Sequence, residues 1–141
     1  MKEVPPGSFA YPLLGALHSV ETQFESALEP LGLSLAKFGV LSKLAASGEP
    51  LPLRTLAERC ACVRSNITQL VDRLEVEKLV RRSDDPNDRR SILAELTAEG
   101  RKRQAAGLRA LEEAERALVA RLPGEQRESF LELLQCLRGE A

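Results

Sequence analysis

A mainly helical fold carrying one small β-hairpin is predicted by three features of the sequence. Apolar residues recur every three or four positions through most of its 141 residues. That period gives way near residues 79–96, where two short runs flank the turn-forming segment Asp84-Asp85-Pro86-Asn87-Asp88. With four phenylalanines, one tyrosine and no tryptophan, leucine and alanine must fill the interior, and both favour helices. The length suits a single domain, residues 1–141, with a real hydrophobic core.

The elements follow in order. From Tyr11-Pro12, the positions Leu13, Leu17, Val20, Phe24, Leu28 and Leu31 form one stripe along a helix of about five turns. Leu33-Ser34 reads as a break and a new cap. The next helix carries Leu35, Phe38, Leu41 and Leu44 and stops at Ser47-Gly48-Glu49-Pro50. Leu56, Ala57 and Cys60 mark the buried side of a short third helix. Ile67, Leu70, Val71, Leu74 and Leu79 do the same for a fourth. Between these two, Ala61-Cys62-Val63 is too short for a flexible loop, so they must cross steeply. Leu79-Val80-Arg81-Arg82 and Ile92-Leu93-Ala94-Glu95-Leu96 are the expected strands. Thr97 caps a long helix to about residue 121, with Leu108, Leu111, Leu118 and Leu122 on its stripe. Leu122-Pro123-Gly124 breaks it, and Pro123 suits the first turn of a last helix bearing Phe130, Leu131, Leu133, Leu134 and Leu137.

Helix, tight turn, helix and charged hairpin, in that order, present one helix and one loop to a DNA duplex. With Ile67, Leu70, Val71 and Leu74 inward, Ser65, Thr68, Gln69 and Asp72 point outward, flanked by Arg64, Asn66 and Arg73. That set suits bases and phosphates: arginine for guanine, asparagine or glutamine for adenine, hydroxyls for phosphate. An ordinary solvated face is more often rich in Glu and Lys. Arg89 and Arg90 leave the hairpin tip, and arginine there can reach the narrow minor groove, where the negative potential attracts guanidinium. Asp88 gains nothing by facing phosphate; its expected use is to hold a neighbouring arginine through a charge-assisted pair.

The segments ITQLVDRLE, DDPNDRRS and LTAEG resemble the winged helix-turn-helix of the MarR (multiple antibiotic resistance regulator) family. The resemblance is dense over residues 33–100 and looser in the flanking helices. It implies that Asp88 and Arg90 form the Asp-x-Arg of the wing, that Arg90 is the minor-groove arginine, and that residues 64–78 hold the recognition helix. Two positions depart from the pattern. Val63 stands where the family often has a hydroxyl cap, and Pro52 stands near the cap of the preceding helix. The implied organisation is an N-terminal dimerisation helix (residues 1–32), a DNA-binding head (33–96) and C-terminal dimerisation helices (97–141). Apart from the resemblance, the end helices carry more apolar surface than a small head can cover, so pairing with a second copy is the economical solution.

Composition excludes more than it identifies. The formal net charge is −1, yet residues 54–90 hold nine Lys/Arg against seven Asp/Glu, net +2, and the remainder eleven against fourteen, net −3. Binding is therefore expected to rest on fitted contacts and two copies of the head rather than on bulk charge. Enzyme chemistry lacks a glycine-rich phosphate loop or a nucleophile with a base, and no cofactor is implied. His18 is the only histidine, and Cys60-x-Cys62 lacks partners, so no metal site is expected. Cys60 and Cys62 read as small buried hydrophobes; with Cys136 they complete the thiols. Oxidation of Cys60 or Cys62 is the competing way to release DNA. Met1-Lys2-Glu3-Val4-Pro5-Pro6 is short, polar and proline-broken, unlike a signal peptide, and a cytoplasmic protein with no membrane partner is expected.

The function expected is that of a homodimeric regulator on a pseudo-palindromic operator, a repressor released by a small effector. The resemblance implies a small aromatic or phenolic ligand between dimer helices and heads. Phe9, Tyr11, Leu14, His18 and Phe38 are the candidate lining, with apolar contacts dominating. The alternative is a winged-helix module for protein–protein contact, which should expose leucine or aromatic residues where this chain has Arg64, Asn66, Gln69 and Arg90.

Overall fold

A computed structural model describes residues 7–60 and 64–139, without the side chains of Arg64 and Ser65. Helix α1 (Ala10–Leu28) ends in a 3₁₀ turn at Glu29–Leu31, where Pro30 forbids a further helical bond and Gly32 (φ 69°) reverses the chain. The expected first helix is thus shorter at its end. Helix α2 (Leu35–Ser47) begins at Ser34, whose Oγ accepts the Lys37 N–H at 3.1 Å. A carboxylate of α1 assists: both oxygens of Glu25 accept the Leu35 N–H, at 3.1 and 3.2 Å.

A two-residue strand that the sequence reading missed, β1 (Leu51–Pro52), leads into α3 (Leu53–Arg59). Pro52 is the residue before α3 and offers no side-chain cap, as its departure from the usual hydroxyl implied. Val63 and Cys62 lie outside the described residues. Helix α4 (Arg64–Val76) is followed by β2 (Val80–Asp85), β3 (Asp88–Leu96), α5 (Ala98–Val119), a 3₁₀ turn at Gly124–Gln126 and α6 (Arg127–Arg138). Pro123 therefore precedes a short 3₁₀ turn rather than the last helix directly. Thr97 caps α5 as expected: its hydroxyl accepts the Gly100 N–H at 3.0 Å and donates to the Lys78 carbonyl at 2.7 Å.

The antiparallel sheet runs β1-β3-β2, with Leu51 opposite Ala94 and Val80 opposite Leu96. Both hairpin strands are longer than the apolar runs suggested. Side chains at the tip explain the extension. Asp85 Oδ1 accepts the Asn87 N–H at 2.9 Å, so the turn closes over Pro86-Asn87 and Arg89 and Arg90 fall within β3.

One core joins these elements: Leu28 of α1, Leu33, Val40, Leu41 and Leu44, Leu53 and Leu56 of α3, Ile67, Val71 and Leu74 of α4, and Leu79, Val80, Ala94 and Leu96 at the sheet. Cys60 packs half-buried against it, as a small hydrophobe would. Cys136 is exposed on α6. The end helices contribute little to this core. Only Leu28 of α1 is buried, and no residue of α6 is. Phe9 just before α1, Tyr11, Leu14 and Leu17 on α1, and Phe130, Leu131, Leu133 and Leu137 on α6, remain exposed.

Candidate DNA-reading head

Helix α4 owes its orientation to the period of its apolar residues. Ile67, Val71 and Leu74 are wholly buried, which turns Asn66, Gln69, Asp72 and Arg73 to the surface. Thr68 sits half-buried at the edge of that surface. Of the expected set, Asn66, Gln69, Asp72 and Arg73 are exposed and Thr68 only partly so; the side chains of Arg64 and Ser65 lie outside the described residues.

Helix and wing meet at an open cleft of about 500 Å³. Arg54 of α3, Thr68 of α4, and Asp88, Arg90 and Ser91 of β3 line it together. Arg90 is exposed, and so is Arg89. Neither guanidinium has an ion-pair partner among the described residues, which leaves both charges available. Asp88 behaves differently from expectation. Its Oδ1 accepts the main-chain N–H of Arg90 at 2.9 Å, and no carboxylate–guanidinium pair forms there among the described residues. The carboxylate shapes the strand backbone that carries Arg90 instead of gripping its side chain, because a residue two positions on presents its N–H, not its head group.

The ion pair that sequence reasoning missed lies on the inner face of the wing. Arg82 Nη1 stands 2.6 Å from Asp72 Oδ1, and Nη2 stands 3.1 Å from Glu75 Oε1. The Arg82 main-chain N–H also donates to Glu75 Oε2 at 3.1 Å. These bonds hold the Glu75 carboxyl below its ordinary value, chiefly through the side-chain bond to Arg82, and push the Arg82 guanidinium up by the same bond. Asp72, expected on the outward set, is thus committed to Arg82. Helical spacing could have flagged the pair: Asp72 and Glu75 stand three apart and share a face.

The expected effector lining does not converge. An open groove of about 700 Å³ runs beside α1, lined by His18, Glu21, Glu25 and Glu29 together with Leu33 and Leu35. Of the five candidates, His18 alone lines it. Phe9, Tyr11 and Leu14 lie exposed near the start of α1. Phe38 is half-buried at the crossing of α2 and α5, where a Cβ on Gly107 would come within 2.8 Å of its ring. Among the described residues, no cluster of three metal-ligating side chains occurs, and no helix is long and apolar enough to cross a membrane.

The packed helix pair α3 and α4, a three-stranded sheet and a charged hairpin make this a winged helix-turn-helix protein. The MarR family model matches residues 33–92, and over that head the chain resembles the family. Its sequence is 34% identical over 80 residues to the transcriptional regulator HosA of Escherichia coli O111:H-, a match that covers 57% of this chain and 59% of HosA. Solved structures extend the likeness to the whole chain. A MarR-family transcriptional regulator from Rhodococcus sp. RHA1 superposes with a TM-score of 0.82 at 26% identity, covering 96% of each chain. The transcriptional repressor CouR, solved with a 23-mer DNA duplex, superposes with a TM-score of 0.84 at 28% identity, covering 97% of this chain and 99% of its own. CouR from Rhodococcus jostii RHA1 has also been solved with p-coumaroyl-CoA, at a TM-score of 0.79 and 26% identity over 96% of this chain and 95% of its own.

Proposed function

We propose that the chain is a homodimeric, sequence-specific DNA-binding transcriptional regulator, a repressor released by a small-molecule effector. One observation carries the DNA-reading part: an exposed helix face bearing Asn66, Gln69 and Arg73 shares its head with a wing whose Arg89 and Arg90 have no ion-pair partner among the described residues. Amide side chains match adenine edges in the major groove, and wing arginines match the negative potential of the minor groove. The DNA-bound CouR supports the reading by likeness.

Two further parts rest on surface chemistry. The apolar faces of α1 and α6 stay open in a single chain, and a second copy would cover them through an isologous contact. Residues 1–32 and 97–141 then serve dimerisation and residues 33–96 reading. Release follows if a ligand binds the two head spacings with different affinity. A small aromatic or phenolic molecule would find apolar contacts at the exposed Phe9, Tyr11 and Leu14 around the start of α1, with the His18 groove further along the same helix.

Selection from a random-sequence DNA library with the full chain tests the reading. The expected product is a pseudo-palindrome whose half-sites lie about one helical turn, roughly 34 Å, apart. A library that returns no preferred sequence would sink it and favour a protein-docking module.

A further inference from the structure

The wing and the recognition helix do not touch DNA as independent parts; something must hold them at one spacing. We propose that Arg82 is the positioning residue of the head, a clamp between β2 and α4 that sets where Arg90 lies relative to Asn66 and Gln69. The inference rests on the DNA-reading function proposed above.

Strand alternation puts Arg82 on the same side of β2 as the buried Val80, toward α4, where it is half-buried and borders the helix–wing cleft. From there its fork bridges two positions three residues apart on the helix, with one arm on Asp72 at 2.6 Å and the other on Glu75 at 3.1 Å. Glu75 returns the grip on the main chain, accepting the N–H of Arg82 at 3.1 Å. β2 is an edge strand, so this carboxylate fills a position that a further strand would occupy. Three bonds thus converge on one residue of the wing, and all come from one helix. A planar fork with two fixed carboxylates defines direction as well as distance, which a single ammonium cannot do.

The alternative role, a direct phosphate contact, fits the charges poorly. Arg82 brings one positive charge to two carboxylates, so the cluster is net negative before any phosphate arrives. Arg89 and Arg90 have no such partners among the described residues and supply the wing's available charge. Arg82 holds; Arg90 reaches.

The experiment compares wild type, Arg82→Gln, Arg82→Lys and Asp72→Asn by fluorescence anisotropy. Its probes are the duplex that wild type selects from a random library and a scrambled duplex of the same length. Circular dichroism sets a working temperature at which every variant is folded. The expected result for Arg82→Gln is a loss of about tenfold or more in the ratio of selected to scrambled affinity, with the salt slope of wild type retained. Arg82→Lys is expected to lose most of that ratio too, although it keeps the charge, and Asp72→Asn to lose less, having removed one arm. A salt slope smaller by about 0.9 in Arg82→Gln, restored in Arg82→Lys, would assign Arg82 to a phosphate and overturn the clamp. An unchanged affinity ratio in folded Arg82→Gln overturns it as well. Failure of wild type to select any sequence removes the DNA-reading function itself, and the clamp with it.

Discussion

Three arginines of the wing, Arg82, Arg89 and Arg90, illustrate how strand position decides what a charge does. Arg82 faces α4 and is held by two carboxylates, whereas Arg89 and Arg90 stand near the tip with exposed head groups. Arg90→Ala is expected to weaken binding to nearly all sequences and to reduce the slope of log affinity against log salt by about 0.9, the share of one released counterion. Asn66→Ala or Gln69→Ala is expected to relax base preference instead, by about 1–3 kcal/mol where the amide contact is bidentate. Anisotropy titrations at several salt concentrations check both; an unaltered slope in Arg90→Ala removes the wing from the DNA contact. Glu75 adds a pH dependence. Its carboxyl is held below the ordinary value of 4.5 by the side-chain bond to Arg82, with the main-chain bond adding to it. A lowered folded-state pKa contributes stability that is complete above the unfolded value and is lost as pH falls through the folded one. Melting curves of wild type and Glu75→Gln are therefore expected to differ at neutral pH and to converge as the pH drops below 4.5. A gap that stays constant across that range contradicts the pairing.

Elements here are placed by close backbone contacts as much as by side chains. The start of α5 passes so near the loop before β2 that a Cβ at Gly100 would collide with the Leu79 carbonyl. The same junction holds the Thr97 N–H against the Leu79 carbonyl at 3.1 Å, so the main chain has nowhere to yield. Gly100→Ala is expected to lower stability by about 1–3 kcal/mol through overpacking, although alanine favours helices. Urea titration measures it, and a neutral or stabilising result means that α5 can shift without cost. Caps and glycine turns made α2 and α5 readable along the chain, since Ser34 and Thr97 act on N–H groups three residues away. Strand β1 carried no such local signal. Two residues pair only because β3 lies beside them, and that neighbour is some forty positions distant in sequence.

At the scale of the molecule, the unpaired apolar faces of α1 and α6 are the largest feature that a single chain leaves unexplained. Leu131 and Leu133 are 60% and 62% exposed on α6, and Leu14 is 60% exposed on α1. In the proposed dimer a second copy would cover them, removing that surface from water and placing two heads on one duplex. Leu133→Glu combined with Leu137→Glu is expected to convert a dimer to a monomer in light scattering. Affinity for a two-half-site duplex is then expected to fall to that for a single half-site, because the second contact no longer benefits from tethering. Retention of the dimer in this variant would move the interface away from α6.

What the sequence by itself determined was local: the helical periods, the caps at Ser34 and Thr97, the outward set on α4 and the charged hairpin. Each of these acts within about one or two helical turns, so residue order is enough to encode it. Tertiary structure decided the rest. Asp88 serves a backbone N–H rather than a guanidinium, Arg82 pairs with Asp72 and Glu75 of α4, and Phe38 is committed to the crossing of α2 and α5. A charged or aromatic side chain near several partners takes the one that packing brings within about 3 Å, and that choice is made only when distant segments meet.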